Sequence, residues 1–243
     1  MAERLKISGI VVAAGSGSRM NSTEKKQFME LSGMPLFLHS VKAFEVNPAI
    51  DNITVVTADE DMERVLRLLI EHRISKVKNL APGGKMRFES VYHGLCTLPA
   101  DTDIVLIHDG ARPLISQEVI RNCIKGAFQH KACAAAVKAK NTIKRADAGG
   151  FAAETLERAF LYEIQTPQAF SYKVISQAYF NLNRTIKEYN TDISWVTDDA
   201  VIVENMTDVR VKLVEGDYRN IKITTPEDMI IAEALLNAQK SGA

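Results

Sequence analysis

The sequence predicts an α/β fold built on a mostly parallel sheet, and three observations predict it. Short apolar runs recur at Ile7–Ala14, Ile53–Thr57, Lys76–Leu80, Ile104–His108 and Ala132–Val137. Helical patterns lie between them. The first run empties into a glycine-containing turn, Gly15-Ser16-Gly17. Runs that are apolar at consecutive positions fit strands buried on both faces. Strands that alternate with helices form βαβ units, joined right-handedly.

The helices follow in order. Leu36–Phe44 starts just after Pro35, and Asp61–Ile70 places Met62, Val65, Leu66 and Leu69 on one face. Glu89–Leu98 and Gln117–Phe128 complete the first set. At about residue 138 the alternation breaks. Lys138–Arg145 is strand-like but polar, Asp147-Ala148-Gly149-Gly150 is a turn signal, and Phe151–Arg158 runs back. This reads as a projecting β-hairpin arm over 138–160. A lone hairpin is marginal in water, so the arm is expected to pack on something. A second copy of the chain and the arm's own domain both remain open.

The α/β pattern resumes with a strand at Gln165–Phe170, a helix over Tyr172–Asn181 and a helix from Thr197 or Asp198. Strands at Val209–Val214 and Ile221–Thr224 follow. Pro226-Glu227-Asp228 opens the last helix, with proline in its first turn and acids at the positive end of the dipole.

At 243 residues the chain fits a single domain, 1–243, with the 138–160 arm as an excursion. Lys plus Arg and Asp plus Glu number 30 each, so the net charge is zero. No global field holds a nucleic acid, although local basic clusters can bind small phosphates. Apolar residues make up 46%, which excludes a disordered chain. Cys96, Cys123 and Cys133 show no metal-ligand spacing and read as reduced thiols. No secretory leader is evident, and no apolar run approaches the ~20 residues of a membrane helix. A cytoplasmic protein with no membrane partner is expected.

The turn after the first strand reads Ala13-Ala14-Gly15-Ser16-Gly17-Ser18-Arg19-Met20. Small residues let backbone N–H groups approach a phosphate, and the C-terminal end of a parallel strand is the usual ligand crevice. An ordinary tight turn is the alternative reading. The dinucleotide fingerprint needs a glycine where Met20 stands, and the Walker pattern needs one where Asn79 stands. Arg19 and Lys26, with Lys25-Lys26-Gln27 close by, could both reach a triphosphate.

Gly83-Gly84-Lys85 leads through Arg87 to Ser90 at a second strand-to-helix junction. Its backbone could read a base edge. Ser90 could contact a ligand or cap the helix. The strand Ile104–His108 runs into Asp109, Gly110, Ala111, Arg112 and Pro113. A carboxylate at a strand's C-terminal edge suits Mg²⁺, which takes one or two carboxylates plus substrate phosphates. A turn or N-cap role is the alternative. Arg112 could pair with Asp109 or with a substrate phosphate, and His108 is read as a sheet-end histidine and not as a base.

At these residues the sequence resembles the 2-C-methyl-D-erythritol 4-phosphate cytidylyltransferase family. The likeness spans nearly the whole chain. It is carried by Ala13-Ala14-Gly15 with Arg19-Met20, Lys26-Gln27, Gly83-Gly84 with Arg87 and Ser90, and His108 to Pro113. It continues through Thr142-Ile143-Lys144-Arg145, Gln165-Thr166-Pro167-Gln168, Thr197-Asp198-Asp199-Ala200 and Asn220-Ile221-Lys222-Ile223-Thr224.

The resemblance implies a three-layer Rossmann-like sheet of the nucleotide-diphospho-sugar transferase type, forming one nucleotidyltransferase domain. It implies that Ala13, Ala14 and Gly15 hold the triphosphate and base, and that Gly83, Gly84 and Ser90 contact cytosine and ribose. Arg19, Lys26 and Lys222 become the cationic clamp, and Asp109 and Arg112 the metal-side and polyol-phosphate residues. The arm would interlock two subunits, with Thr142 and Arg158 reaching the neighbour's substrate phosphate. One departure is Arg219, where family members often carry an acid; Asp217 lies nearby.

The implied reaction moves CMP from CTP to the polyol phosphate, with Mg²⁺ and no covalent intermediate. A phosphate monoester is already anionic and needs no strong base. Fixed cations position and stabilise the merging anions. No nucleophile–base pair stands out in sequence. A ribitol-5-phosphate cytidylyltransferase and a non-catalytic CTP-binding module are the competing readings. A nicotinamide dehydrogenase is disfavoured by Met20.

Overall fold

The computed structural model describes residues 4–15, 20, 24–189 and 192–240, without the side chains of 239 and 240. The chain runs β1 (Ile7–Val12), β2 (Glu30–Leu31), β3 (Met34–Pro35), α1 (Leu36–Glu45), β4 (Asn52–Thr57), α2 (Met62–Glu71), β5 (Val77–Pro82) and α3 (Arg87–Leu95). It continues with β6 (Ile104–Asp109), α4 (Gln117–His130), β7 (Ala132–Lys138), β8 (Lys144–Ala146) and β9 (Ala152–Thr155). The remainder is β10 (Tyr162–Ser171), α5 (Tyr172–Tyr189), α6 (Asp199–Met206), β11 (Lys212–Glu215) and α7 (Pro226–Lys240).

Among the described residues seven strands form one sheet, ordered β11-β7-β10-β6-β1-β4-β5. Every pairing is parallel except those of β10, which runs antiparallel between β6 and β7. Side-chain alternation sorts the core into two layers. Val11, Val55 and Leu106 face α1, α2 and α4, where Val41, Phe44, Leu69 and Ile120 pack. Ile10, Val56, Val105 and Ile107 face α3, α5 and α6, where Val91, Leu95, Ile175 and Ile202 pack. The expected three-layer α/β architecture is therefore the one observed.

Local signals set the helix ends. The Ser116 hydroxyl accepts from Val119 N–H at 3.3 Å and opens α4. Asp198 accepts from Val201 N–H at 2.9 Å and opens α6, so the helix starts one residue after its cap. Asp228 accepts from the N–H groups of Thr224 and Thr225 ahead of α7.

The arm is present but pairs over less chain than 138–160. Only Lys144–Ala146 and Ala152–Thr155 form its ladder. The Asp147 carboxylate closes the turn, accepting from Gly149 and Phe151 N–H. Apart from partly covered Leu156, residues 140–160 are exposed, so the arm does not fold back on its own domain.

One expected strand is absent. Ile221–Thr224 forms no strand and joins no ladder. The sheet ends at β11, and the segment instead crosses the loops above the strand ends. There Ile223 N–H donates to Ala111 O at 2.8 Å, and Ile223 O accepts from Lys26. Ile223 packs with Met20, Leu31, Leu36 and Leu114 in a third small cluster beneath α7.

Candidate functional site

A cleft of about 510 Å³ opens at the C-terminal ends of β1, β5 and β6. Its floor includes Ala13, Ala14 and Gly15 after β1. Met20, in the position a dinucleotide fingerprint reserves for glycine, is a buried core residue. Arg19, Ser16, Gly17 and Ser18 lie outside the described residues.

The second wall is the turn after β5. A Cβ at Gly83 would stand 2.5 Å from Ala14 Cβ, and one at Gly84 would collide with Glu89 Cβ, so both positions require glycine for close approach. Gly84 lines the cleft, whereas Gly83 supports the wall and donates to Thr57 O at 2.7 Å. The Ser90 hydroxyl accepts from Gly84 N–H at 2.9 Å and donates to Met86 O at 3.3 Å. Ser90 lines the cleft, but this hydroxyl is spent on holding the turn. Glu89 accepts from Met86 N–H at 2.9 Å and caps the same junction.

The centre is Asp109, at the end of β6 and 7% exposed. Its Oδ1 lies 3.1 Å from Arg87 Nε and its Oδ2 2.7 Å from Lys222 Nζ. Burial pushes its pKa up, but Arg87, Lys222 and Arg112 outweigh that and hold it well below the carboxylate range. Asp109 is therefore a fixed anion between two cations. Lys26 Nζ, also in the cleft, donates to Ile223 O at 2.8 Å.

Behind Asp109 stands a network to which the sequence reading assigned no role. Arg87 Nη1 lies 2.9 Å from Asp199 Oδ2, and Asp199 Oδ1 accepts from Tyr179 Oη at 2.6 Å. Asp199 is fully buried. Burial lowers the Arg87 pKa, but the charges of Asp199 and Asp109 raise it further, so the guanidinium stays charged. Burial pushes the Asp199 carboxyl up against the pull of Arg87. In sequence the adjacent pair Asp198-Asp199 before an apolar run reads as a cap and a first-turn acid at the positive end of the α6 dipole, which does not distinguish a buried partner.

His108 is fully buried and also bonded at both ring nitrogens. Nε2 faces Arg112 O at 3.1 Å, which can only accept, so Nε2 carries the proton. Nδ1 then accepts from the Thr166 hydroxyl at 2.9 Å, and Thr166 Oγ1 accepts from Asp109 N–H at 3.1 Å. Burial pushes the His108 pKa down to about 4, so the ring is neutral at physiological pH. His108 is structural, as its place at the sheet end suggested.

Arg112 does not pair with Asp109. Its Nη1 donates to Asn220 O at 2.7 Å, and Asn220 in turn donates to Thr166 O at 2.8 Å. Arg219 turns onto Asp217 at 2.8 Å, outside the cleft. That carboxylate is therefore engaged and supplies no acid to the cleft. Thr142 and Arg158 sit on the exposed arm and do not line this chain's cleft; Arg158 donates to Lys140 O at 2.8 Å.

No group of three or more His, Cys, Asp or Glu is gathered to hold a metal among the described residues. Among the described residues that line the cleft, Asp109 alone offers a carboxylate. That donor set fits a hard cation such as Mg²⁺ only when substrate phosphates supply further oxygens.

A parallel sheet whose strand ends carry a glycine-edged cleft, with lysines and arginines arranged around one ionised carboxylate, defines a nucleotidyltransferase-like protein. Comparison with known proteins narrows the class. The IspD family model, 2-C-methyl-D-erythritol 4-phosphate cytidylyltransferase, matches residues 7–238, and the chain belongs to this family. It is thereby an enzyme of the nucleotidyltransferase class. A relative of that name from Lachnospira eligens is 45% identical over 229 residues, covering 94% of this chain and 98% of its own. One from Caldanaerobacter subterraneus subsp. tengcongensis is 42% identical over 233 residues, covering 96% and 99%. The crystal structure of the 4-diphosphocytidyl-2C-methyl-D-erythritol synthase from Anaerococcus prevotii superposes with a TM-score of 0.81 at 33% identity, covering 97% of this chain and 100% of that one.

Proposed function

We propose that this chain transfers CMP from CTP to 2-C-methyl-D-erythritol 4-phosphate. The products are 4-diphosphocytidyl-2-C-methyl-D-erythritol and pyrophosphate. The observation that carries the reading is the cleft itself, where Lys222 pairs with the ionised Asp109 and Lys26 lines the same space beside the Gly83-Gly84 turn.

The polyol phosphate oxygen attacks the α-phosphorus of CTP in line. The bond from that phosphorus to the bridging oxygen breaks, and pyrophosphate leaves with its electron pair. No protein nucleophile is required. Ala13, Ala14, Gly15 and Gly84 let the backbone approach the nucleotide, with Gly83 and Ser90 holding the turn in shape. Lys26, Lys222 and Arg19 neutralise the charge that builds on the α-phosphoryl oxygens and leaving group. Mg²⁺ would be held by Asp109 together with substrate phosphates, where it supplies further neutralisation. Arg112 would bind the acceptor phosphate.

The same reading makes the enzyme a cytoplasmic homodimer in which the 138–160 arm interlocks with its partner and brings Thr142 and Arg158 to the other cleft. The exposed arm supports this. Among the described residues no helix is long and apolar enough to cross a membrane.

The test is pyrophosphate release with methylerythritol phosphate or ribitol 5-phosphate as acceptor. Turnover with the first and not the second is expected; the reverse selects the ribitol enzyme, and CTP binding without turnover selects a non-catalytic module. In the same assay Lys26→Ala and Lys222→Ala are each expected to lower kcat by roughly 10²–10³ with the fold retained. Near wild-type turnover in either contradicts its role.

A further inference from the structure

Lys26 is carried on a short 3-10 turn, Lys26–Phe28. Such turns are weakly held by their own hydrogen bonds. Here those bonds run from Phe28 N–H to Lys25 O at 2.9 Å and from Met29 N–H to Lys26 O at 3.1 Å. The turn is instead gripped from the side away from the cleft. Lys25 Nζ lies 2.7 Å from Glu60 Oε1 and 2.7 Å from Asp61 Oδ2. Arg64 Nη1 lies 2.6 Å from Glu24 Oε1, and its guanidinium carbon sits 3.9 Å above the Phe28 ring. Phe28 is buried edge-on against Phe37, with centroids 5.9 Å apart.

These contacts bear on Lys26 through backbone geometry. Lys25 is extended, with φ −62° and ψ 133°. Lys25 reaches Glu60 and Asp61, while Lys26 Nζ reaches Ile223 O between the cleft residues Lys222 and Thr224, so the clasp on Lys25 holds the backbone from which Lys26 projects. The two acids differ in weight. Glu60 is 69% exposed, and such pairs contribute little. The Asp61 side chain is only 11% exposed, so its pairing with Lys25 is the stronger hold. The acids also neutralise Lys25, leaving Lys26 as the charge this segment presents to the cleft.

We propose that Asp61, supported by Glu60, is a positioning residue for the transfer reaction: by holding Lys25 it orients Lys26 toward the substrate phosphates. The proposal rests on the reading of Lys26 given above. It reaches residues outside the cleft that touch no substrate.

The test combines steady-state kinetics and backbone hydrogen exchange on the full chain. Asp61→Asn and Lys25→Met are each expected to lower kcat roughly tenfold, with the KM for CTP changed less than about threefold. Lys25→Arg keeps both pairings and retains turnover. In a Lys26→Ala background, Asp61→Asn is expected to cost less than about twofold, because the group it positions is gone. The Phe28 and Met29 amides should exchange about tenfold faster in Asp61→Asn without substrate. Wild-type kcat in Asp61→Asn and Lys25→Met overturns the proposal. So does an undiminished loss in the Lys26→Ala background, or unchanged exchange at both amides. If Asp61→Asn does not fold, Lys25→Met carries all three readouts. Exchange requires no acceptor, so a wild-type chain inert toward every polyol phosphate would sink the transferase reading and leave the clasp separately measured.

Discussion

The cleft and the arm are built on opposite principles. Around the cleft, charge is buried and compensated: Asp109, Arg87, Asp199 and Lys222 hold one another in a continuous chain of ion pairs. On the arm, apolar surface is left in the open. Phe151 and Phe160 are each 76% exposed, and Ile143 and Tyr162 are also uncovered. The Asp109 carboxylate is compensated from both sides, while Arg87 Nη2 and Arg112 Nε are buried donors with no partner among the described residues. The arm leaves these apolar side chains uncovered within this chain, and they form the surface that the proposed dimer would cover.

The largest expected effect comes from breaking the buried charge chain. Arg87→Met leaves Asp109 with Lys222 alone and Asp199 with only the Tyr179 hydroxyl. Removing one partner of a buried pair typically costs roughly 3–5 kcal/mol. Urea unfolding at neutral pH is the measurement, and a loss below about 1 kcal/mol would mean that the network holds little of the fold.

A smaller effect separates His108 from Asp109 by pH. The His108 pKa falls from 6.5 in the unfolded chain to about 4 in the fold, because burial penalises the charged ring. The unfolded chain takes up this proton as pH drops below 6.5, and the native state resists until about 4. Stability from this group is therefore full above 6.5 and declines toward 4, by about 3 kcal/mol in all. Asp109 acts later: its pKa is depressed from 3.8, so its contribution is present above 3.8 and is lost only as pH falls further. Unfolding curves across this range that show no loss until below about pH 4 would contradict the buried neutral ring.

The smallest effect on stability is expected at the arm. Phe151→Ser with Phe160→Ser should shift unfolding by less than about 0.5 kcal/mol per site, since neither ring is packed in this chain. On the proposed dimeric reading the wild type is expected to sediment as a dimer and the same double variant as a monomer. Unchanged sedimentation would mean that these rings are not the covered surface.

Much of the sheet and its order of helices was legible because parallel strands buried on both faces leave consecutive apolar residues. The arm was legible from its polar break and its glycine turn. Ile221–Thr224 was misread because a partly apolar segment looks the same whether its backbone bonds to a strand or to loops such as Ala111. The cleft lysines, glycines and Asp109 could be picked out by type and position. Arg87, Asp199 and Tyr179 could not, since α3, α6 and α5 meet only in the folded chain. Ser90 shows the reverse: its proximity to the glycines was correct, and its hydroxyl is committed to the turn and not held free. Nothing in the sequence marked Asp61 either, because an acid that grips the residue beside a lysine looks like ordinary surface charge.

The segment Ile221–Thr224 also fixes when the enzyme can begin to work. During synthesis the chain could lay down β1 to β10 and the glycine turns well before it reaches Lys222. Until that residue emerges, Asp109 lacks one of its two cations, and Lys26 and Arg112 lack the carbonyl oxygens of Ile223 and Asn220. A chain ending before Asn220 would lack Lys222 and the carbonyl oxygens that engage Lys26 and Arg112, so its cleft would be an unfinished transferase site.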